Sequence, residues 1–268
     1  MHTLEGIKYM ADLKSILKDV NPVALVAEML GTFMLAFAVL VAAKFAAGGA
    51  QLVQQNPLVG GLESVPVYFI SVPLIAAFTV GLGVMTLGKF SGGHFNPGIT
   101  FGMWTAKKIR TAPAVAYILV QLLGAFAAFG VMQLFVPEVT ALTFSNAEAW
   151  KIFAAEALGM FVFAFGVSAA VSEERSTFEA GFMVGASLFL GLVFTGVVAG
   201  AGFLNPAVFM ATVRESLADL SLGPVFGPLV GATIGVGLYN LMQNPGSFNL
   251  SIPKGLTTKK KTPAKKKK

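Results

Sequence analysis

Six times along the chain, at about residues 23–45, 67–88, 112–135, 150–171, 178–199 and 222–243, some twenty residues pass with scarcely a charged side chain. A helix rises 1.5 Å per residue, so about 20 residues cover the ~30 Å hydrocarbon core of a bilayer. In that solvent every backbone N–H and C=O must be bonded within the segment, which restricts single apolar spans to helices. The expected fold is therefore an all-α membrane protein with six transmembrane helices. Charged residues make up only 12% of the 268, against about 25% in a soluble domain.

Where the charges lie sets the expected topology. Lys8, Lys14 and Lys18 are mixed with Glu5, Asp12 and Asp19 in residues 1–22, so this reads as an N-terminal segment ahead of an uncleaved first span. Six crossings put both termini on one side. That side collects Lys89, Lys107, Lys108, Arg110, Arg175 and the tail, 16 of the 19 basic residues, and is expected to be cytoplasmic. Lys44, Lys151 and Arg214 fall opposite. The eight lysines of 254–268 exceed the whole net charge of +6, so the basic balance belongs to a tail, 246–268, whose composition predicts disorder. The tail gives no reason to expect a nucleic-acid partner; its expected role is a solvated anchor or a contact for anionic lipid.

The spans repeat. "AEMLGTFMLAFAV" at 27–39 returns as "AEALGMFVFAFGV" at 155–167, and "QLLGA" at 121–125 as "PLVGA" at 228–232. Each half, about 23–136 and 150–245, holds three spans, so the second must enter the membrane the other way up. Such inverted repeats place their functional sites near the midplane, between the halves. The halves differ mainly before the Asn-Pro motif, where "AAGGAQLVQQNPLVGGLESV" is predicted to form an external loop or cap.

Each half also carries a shorter apolar piece, about 96–106 and 205–213, headed by Asn-Pro: Asn96-Pro97-Gly98 and Asn205-Pro206-Ala207. An Asn side-chain oxygen caps first-turn amides, and Pro at the first helical position lacks a donor that would go unsatisfied. Both pieces therefore predict helix starts, with glycines before them for the turn. Nine helical residues cover about half the core, so two such pieces entering from opposite faces meet start to start. Irregular backbone at that depth is tolerated inside protein or along a water-filled cavity. With each Asn oxygen spent on its cap, the two amide NH2 groups are expected to donate into that cavity. A water held by both through its oxygen breaks a proton wire, and the two helix starts repel cations.

These residues resemble the aquaporin (major intrinsic protein) family over about 23–243. The resemblance rests on "SGGHFNPGIT", "FLNPA", the paired "AE-LG" helices, "YILVQLLGA" and "GPLVGA". It implies a right-handed bundle of six helices and two re-entrant half-helices, assembled as a homotetramer with one pore per protomer. It implies that Glu28 and Glu156 brace the re-entrant loops through backbone N–H groups, with His94 packing there too. An acidic residue inside a span needs such partners. Gln121 is expected to join helices, while Tyr117, Trp104 and Trp150 are assigned no role.

The chain departs from the family at the outer constriction, where an arginine usually follows the second motif. Val208 takes that place here. Counting without gaps adds Gly202, Val193 and Ala76, with Phe78, Phe194 or Phe203 entering the lumen if the helix phase differs. An apolar constriction implies broader selectivity than a strict water channel, admitting water and small neutral solutes such as glycerol, urea, ammonia or peroxide. The expected setting is the cell membrane, plasma or inner, or an intracellular membrane. An inverted-repeat secondary transporter and a closed structural membrane protein of the same fold stay open as alternatives. Zero cysteines, two distant histidines (His2, His94) and no clustered carboxylates give no metal site, cofactor or catalytic set to expect, and so no enzyme.

Overall fold

A computed structural model describes residues 18–55, 68–136, 149–172, 174–212 and 223–244. Eight helices lie among them: α1 (Pro22–Gln55), α2 (Tyr68–Ser91), α3 (Pro97–Thr105), α4 (Thr111–Phe135), α5 (Ala149–Val171), α6 (Thr177–Ala199), α7 (Pro206–Thr212) and α8 (Gly223–Gln243). Six contain stretches long and apolar enough to cross a membrane. The other two, α3 and α7, are the short pieces headed by the Asn-Pro motifs. The lysine tail, the first 17 residues and Arg214 lie outside the described residues.

Packing follows the sequence repeat. Helix α1 packs on α2 and α4, and its counterpart α5 packs on α6 and α8. The halves join where α2 meets α6, and each half-helix rests on the third long helix of the other half, α3 on α8 and α7 on α4. Close approach is enforced at matching glycines: a Cβ on Gly124 would collide with the carbonyl oxygen of Met29, and one on Gly231 with that of Ala157. Met29 and Ala157 occupy the same place in the repeat, so the two halves solve one packing problem identically.

One element differs from expectation. Residues 46–55, read as the start of an external loop, continue α1 to Gln55. Ala46, Ala47, Ala50, Gln51 and Gln54 are good helix formers. The spacing of apolar residues marks where hydrocarbon ends, and a helix can run on into water.

Candidate functional site

The site begins at the helix starts. Asn96 sits in extended backbone (φ −157°, ψ 121°) with its Oδ1 accepting from the Gly98 N–H at 2.8 Å, and Pro97 opens α3. Asn205 repeats this: its Oδ1 accepts from the N–H groups of Ala207 at 3.1 Å and Val208 at 3.4 Å. Both asparagines are buried.

The residue before each Asn is left-handed, Phe95 at φ 48° and Leu204 at φ 51°. A non-glycine residue there costs about 1–2 kcal/mol and must be held by its surroundings. The holding groups are the glutamates, both fully buried. Glu28 Oε2 accepts from the Phe95 N–H at 2.6 Å, and Oε1 accepts from the His94 N–H at 2.9 Å and the Ser91 hydroxyl at 2.6 Å. Glu156 accepts from the N–H groups of Phe203 and Leu204, one on each oxygen, both at 2.8 Å.

The left-handed turns aim two carbonyls across the seam. Asn96 Nδ2 donates to the Leu204 carbonyl at 2.7 Å, and Asn205 Nδ2 donates to the Phe95 carbonyl at 3.0 Å. This corrects the expectation of two free amides: each NH2 commits one of its two hydrogens to the opposite loop and keeps one. The cause is general, since a buried carbonyl without a donor costs as much as a lost hydrogen bond. The asparagines therefore lock the loops together as well as capping their helices.

Around Glu28 the polar contacts extend further. Gln121 Nε2 donates to Glu28 Oε2 at 2.8 Å and to Thr100 Oγ1 at 2.9 Å. Gln121 thereby joins α4 to α1 and α3. The Thr100 hydroxyl donates to the Asn96 carbonyl at 3.0 Å, and His94 Nδ1 lies 3.1 Å from the same hydroxyl. The His94 ring meets the edge of Tyr117, whose hydroxyl donates to the Ser91 carbonyl at 2.9 Å.

Beyond the second motif lies a cavity of about 30 Å³, room for roughly one or two waters. Ala76, Gly202 and Val208 line it, with Leu192 and Phe203. Val193 does not: Leu192, one residue earlier on α6, faces the cavity. One residue turns a helix by about 100°, so a gapless count that slips by one selects the wrong face. Phe78 and Phe194 point outward, 72% and 45% exposed. Leu35, Val39 and Ala43 of α1 also line the cavity, and sequence reasoning missed them. Their i, i+4, i+8 spacing marks one face of a helix, but so does any buried stripe. None of the lining side chains carries a hydrogen-bonding group.

The sequence model described as "Major intrinsic protein" matches residues 17–239. "Aquaporin AqpM" of Methanothermobacter thermautotrophicus is 29% identical over 252 residues, covering 81% of this chain and 96% of its own length. "Aquaporin NIP1-1" of Zea mays is 30% identical over 224 residues, covering 82% of this chain and 74% of its own. Among solved structures, the X-ray structure of the aquaglyceroporin from Plasmodium falciparum superposes with a TM-score of 0.60 at 20% identity. That match covers 83% of this chain and 97% of the other.

Proposed function

The chain belongs to the major intrinsic protein family, and from that premise we propose how its pore selects what it passes. It is an integral, multi-pass membrane protein and a passive channel for water and small solutes. The proposed pore runs through the seam between the halves, past Asn96 and Asn205, with its constriction at Ala76, Leu192, Gly202, Phe203 and Val208.

The observation that carries this reading is the reciprocal pairing of the two motifs. Each Asn amide spends one hydrogen on the opposite loop, at 2.7 and 3.0 Å, leaving one donor apiece at the junction of two helix starts. A water accepting both donors turns its own hydrogens away along the pore. That arrangement interrupts proton hopping, and the positive helix ends oppose cations. Gly98 keeps the α3 start compact: a Cβ there would come 2.8 Å from Met160 Cε. The constriction lacks a fixed charge, so neutral solutes larger than water meet no guanidinium. Cation exclusion falls to the junction.

The reading extends to a homotetramer with a pore in each protomer, and to both termini on the cytoplasmic side of a cell membrane. The asymmetric distribution of lysine and arginine supports the orientation.

Stopped-flow light scattering on proteoliposomes, across water, glycerol, urea and ammonia, tests the proposal. Accelerated flux of water or neutral solutes without proton or cation current is expected. Flux that followed an ion gradient would favour a transporter instead. Val208→Arg restores a donor and a charge to the constriction and is expected to cut glycerol and urea flux. An unchanged panel would mean that Val208 does not line the path.

A further inference from the structure

A second cavity, about 180 Å³, opens away from the pore between α3 and α4. Its lining is Phe101 and Trp104 from α3 with Thr111, Ala114, Val115 and Ile118 from α4. On α4 these fall at i, i+3, i+4 and i+7, one face about 10 Å long at 1.5 Å per residue. Val115 is 53% exposed and Trp104 38%, so the groove lies on the outer face of the bundle.

One end of the groove is closed by a short cationic loop. Trp104 Nε1 donates to the Thr111 hydroxyl at 3.0 Å, tying the last turn of α3 to the first of α4. The loop between them presents Lys107 and Lys108, both exposed. Its backbone is pinned by the Lys107 N–H on the Trp104 carbonyl at 2.9 Å and the Lys108 N–H on the Met103 carbonyl at 2.8 Å. Lys107 holds a left-handed conformation, φ 59°, at a helix end where glycine or asparagine is cheapest. Arg110 adds little to the field, because the Asp19 carboxylate sits 2.8 Å from it. Among the described residues of this loop, the unpaired charge is thus that of the two lysines.

An apolar slot on the outer face of a membrane-spanning bundle, ending at a loop that carries two exposed lysines, has a matching ligand chemistry. The geometry points to a site for one anionic phospholipid, its acyl chain between α3 and α4 and its headgroup on Lys107 and Lys108. A zwitterionic lipid fits the slot but gains nothing from the lysines. Each basic residue at the surface adds favourable interaction with anionic headgroups. The site shares no lining residue with the cavity beyond the second motif.

Tryptophan fluorescence tests it, because the chain has only two tryptophans. Trp150 is 70% exposed, so Trp150→Phe leaves a full-length chain reporting from Trp104 alone. This chain is reconstituted in phosphatidylcholine vesicles containing increasing fractions of brominated-chain phosphatidylglycerol or brominated-chain phosphatidylcholine. The anionic lipid is expected to quench Trp104 at a mole fraction on the order of tenfold lower. Adding Lys107→Gln and Lys108→Gln, with the tail intact, is expected to remove that preference while quenching by the zwitterionic lipid persists, which also reports a folded groove. Val115→Phe, which fills the slot without changing charge, is expected to weaken quenching by both lipids. Equal quenching by the two headgroups, or a preference that survives loss of both lysines, would overturn the site.

Discussion

The two halves hold the same turn in two different ways. Both place a left-handed residue before an Asn-Pro helix start, and both hold it with a buried glutamate. In the first half Glu28 accepts from Ser91, His94, Phe95 and Gln121, while in the second Glu156 accepts from the backbone of Phe203 and Leu204. Position by position, the polar groups of the first half become apolar in the second: Ser91 pairs with Gly200, His94 with Phe203, Thr100 with Phe209 and Gln121 with Pro228. The backbone geometry needs only two amides bound to a carboxylate. Everything else around Glu28 is additional, and losing it frees the second half to turn Phe203 into the cavity wall. The polar half surrounds its carboxylate with more partners, and the apolar half turns Phe203 and Val208 to the cavity, whose other wall is Leu35, Val39, Ala43, Val72 and Ala76 of the first half.

That difference predicts unequal damage. Each buried N–H left without a partner costs about 1–3 kcal/mol. Glu156→Ala orphans two of them, while Glu28→Ala also strips Gln121 and Ser91 of an acceptor. Thermal unfolding in detergent should therefore show the larger loss for Glu28→Ala. Equal losses would mean the extra contacts contribute nothing.

Next in size, Asn96→Ala and Asn205→Ala should cost similar amounts. Each removes a cap worth about 1 kcal/mol and leaves a carbonyl of the opposite loop unpaired at about 1–3 kcal/mol. Their unfolding midpoints, compared side by side, check this. A cost confined to one of them would show that the two cross-seam bonds are not equivalent.

Gln121→Leu makes the first half resemble the second at one position. Its expected cost is about 1–2 kcal/mol, one hydrogen-bonding partner of the carboxylate, with channel flux retained. Loss of flux at preserved stability would show Gln121 acting on the pore and not only between helices.

The smallest effect separates neighbours on α6. Leu192→Ala should raise glycerol flux in proteoliposomes by widening the apolar cavity, while Val193→Ala should leave it unchanged. The reverse outcome would return the lumen to the face first counted from the sequence.

Much of this was legible in the residues because the chemistry behind it is local. Hydrocarbon must be spanned by apolar helices, so the runs near 23, 67, 112, 150, 178 and 222 marked the six crossings without any tertiary information. Asn followed by Pro is a helix start wherever it occurs, and that alone placed α3 and α7. The buried glutamates announced themselves by the cost of a charge inside a span. The end of α1 was misread because apolar patterning reports the bilayer and not the helix.

What the sequence by itself determined, then, is the inverted repeat, the crossings and the two facing helix starts, each written in residues adjacent along the chain. The tertiary structure decided which hydrogens the asparagines keep, since the carbonyls they bind lie 108 and 110 residues away. It also decided that Leu192 and not Val193 lines the cavity beyond the second motif, and that α1 supplies part of its wall. Those outcomes depend on how far each helix is rotated and how closely the halves approach, and both are set by contacts between residues distant in sequence.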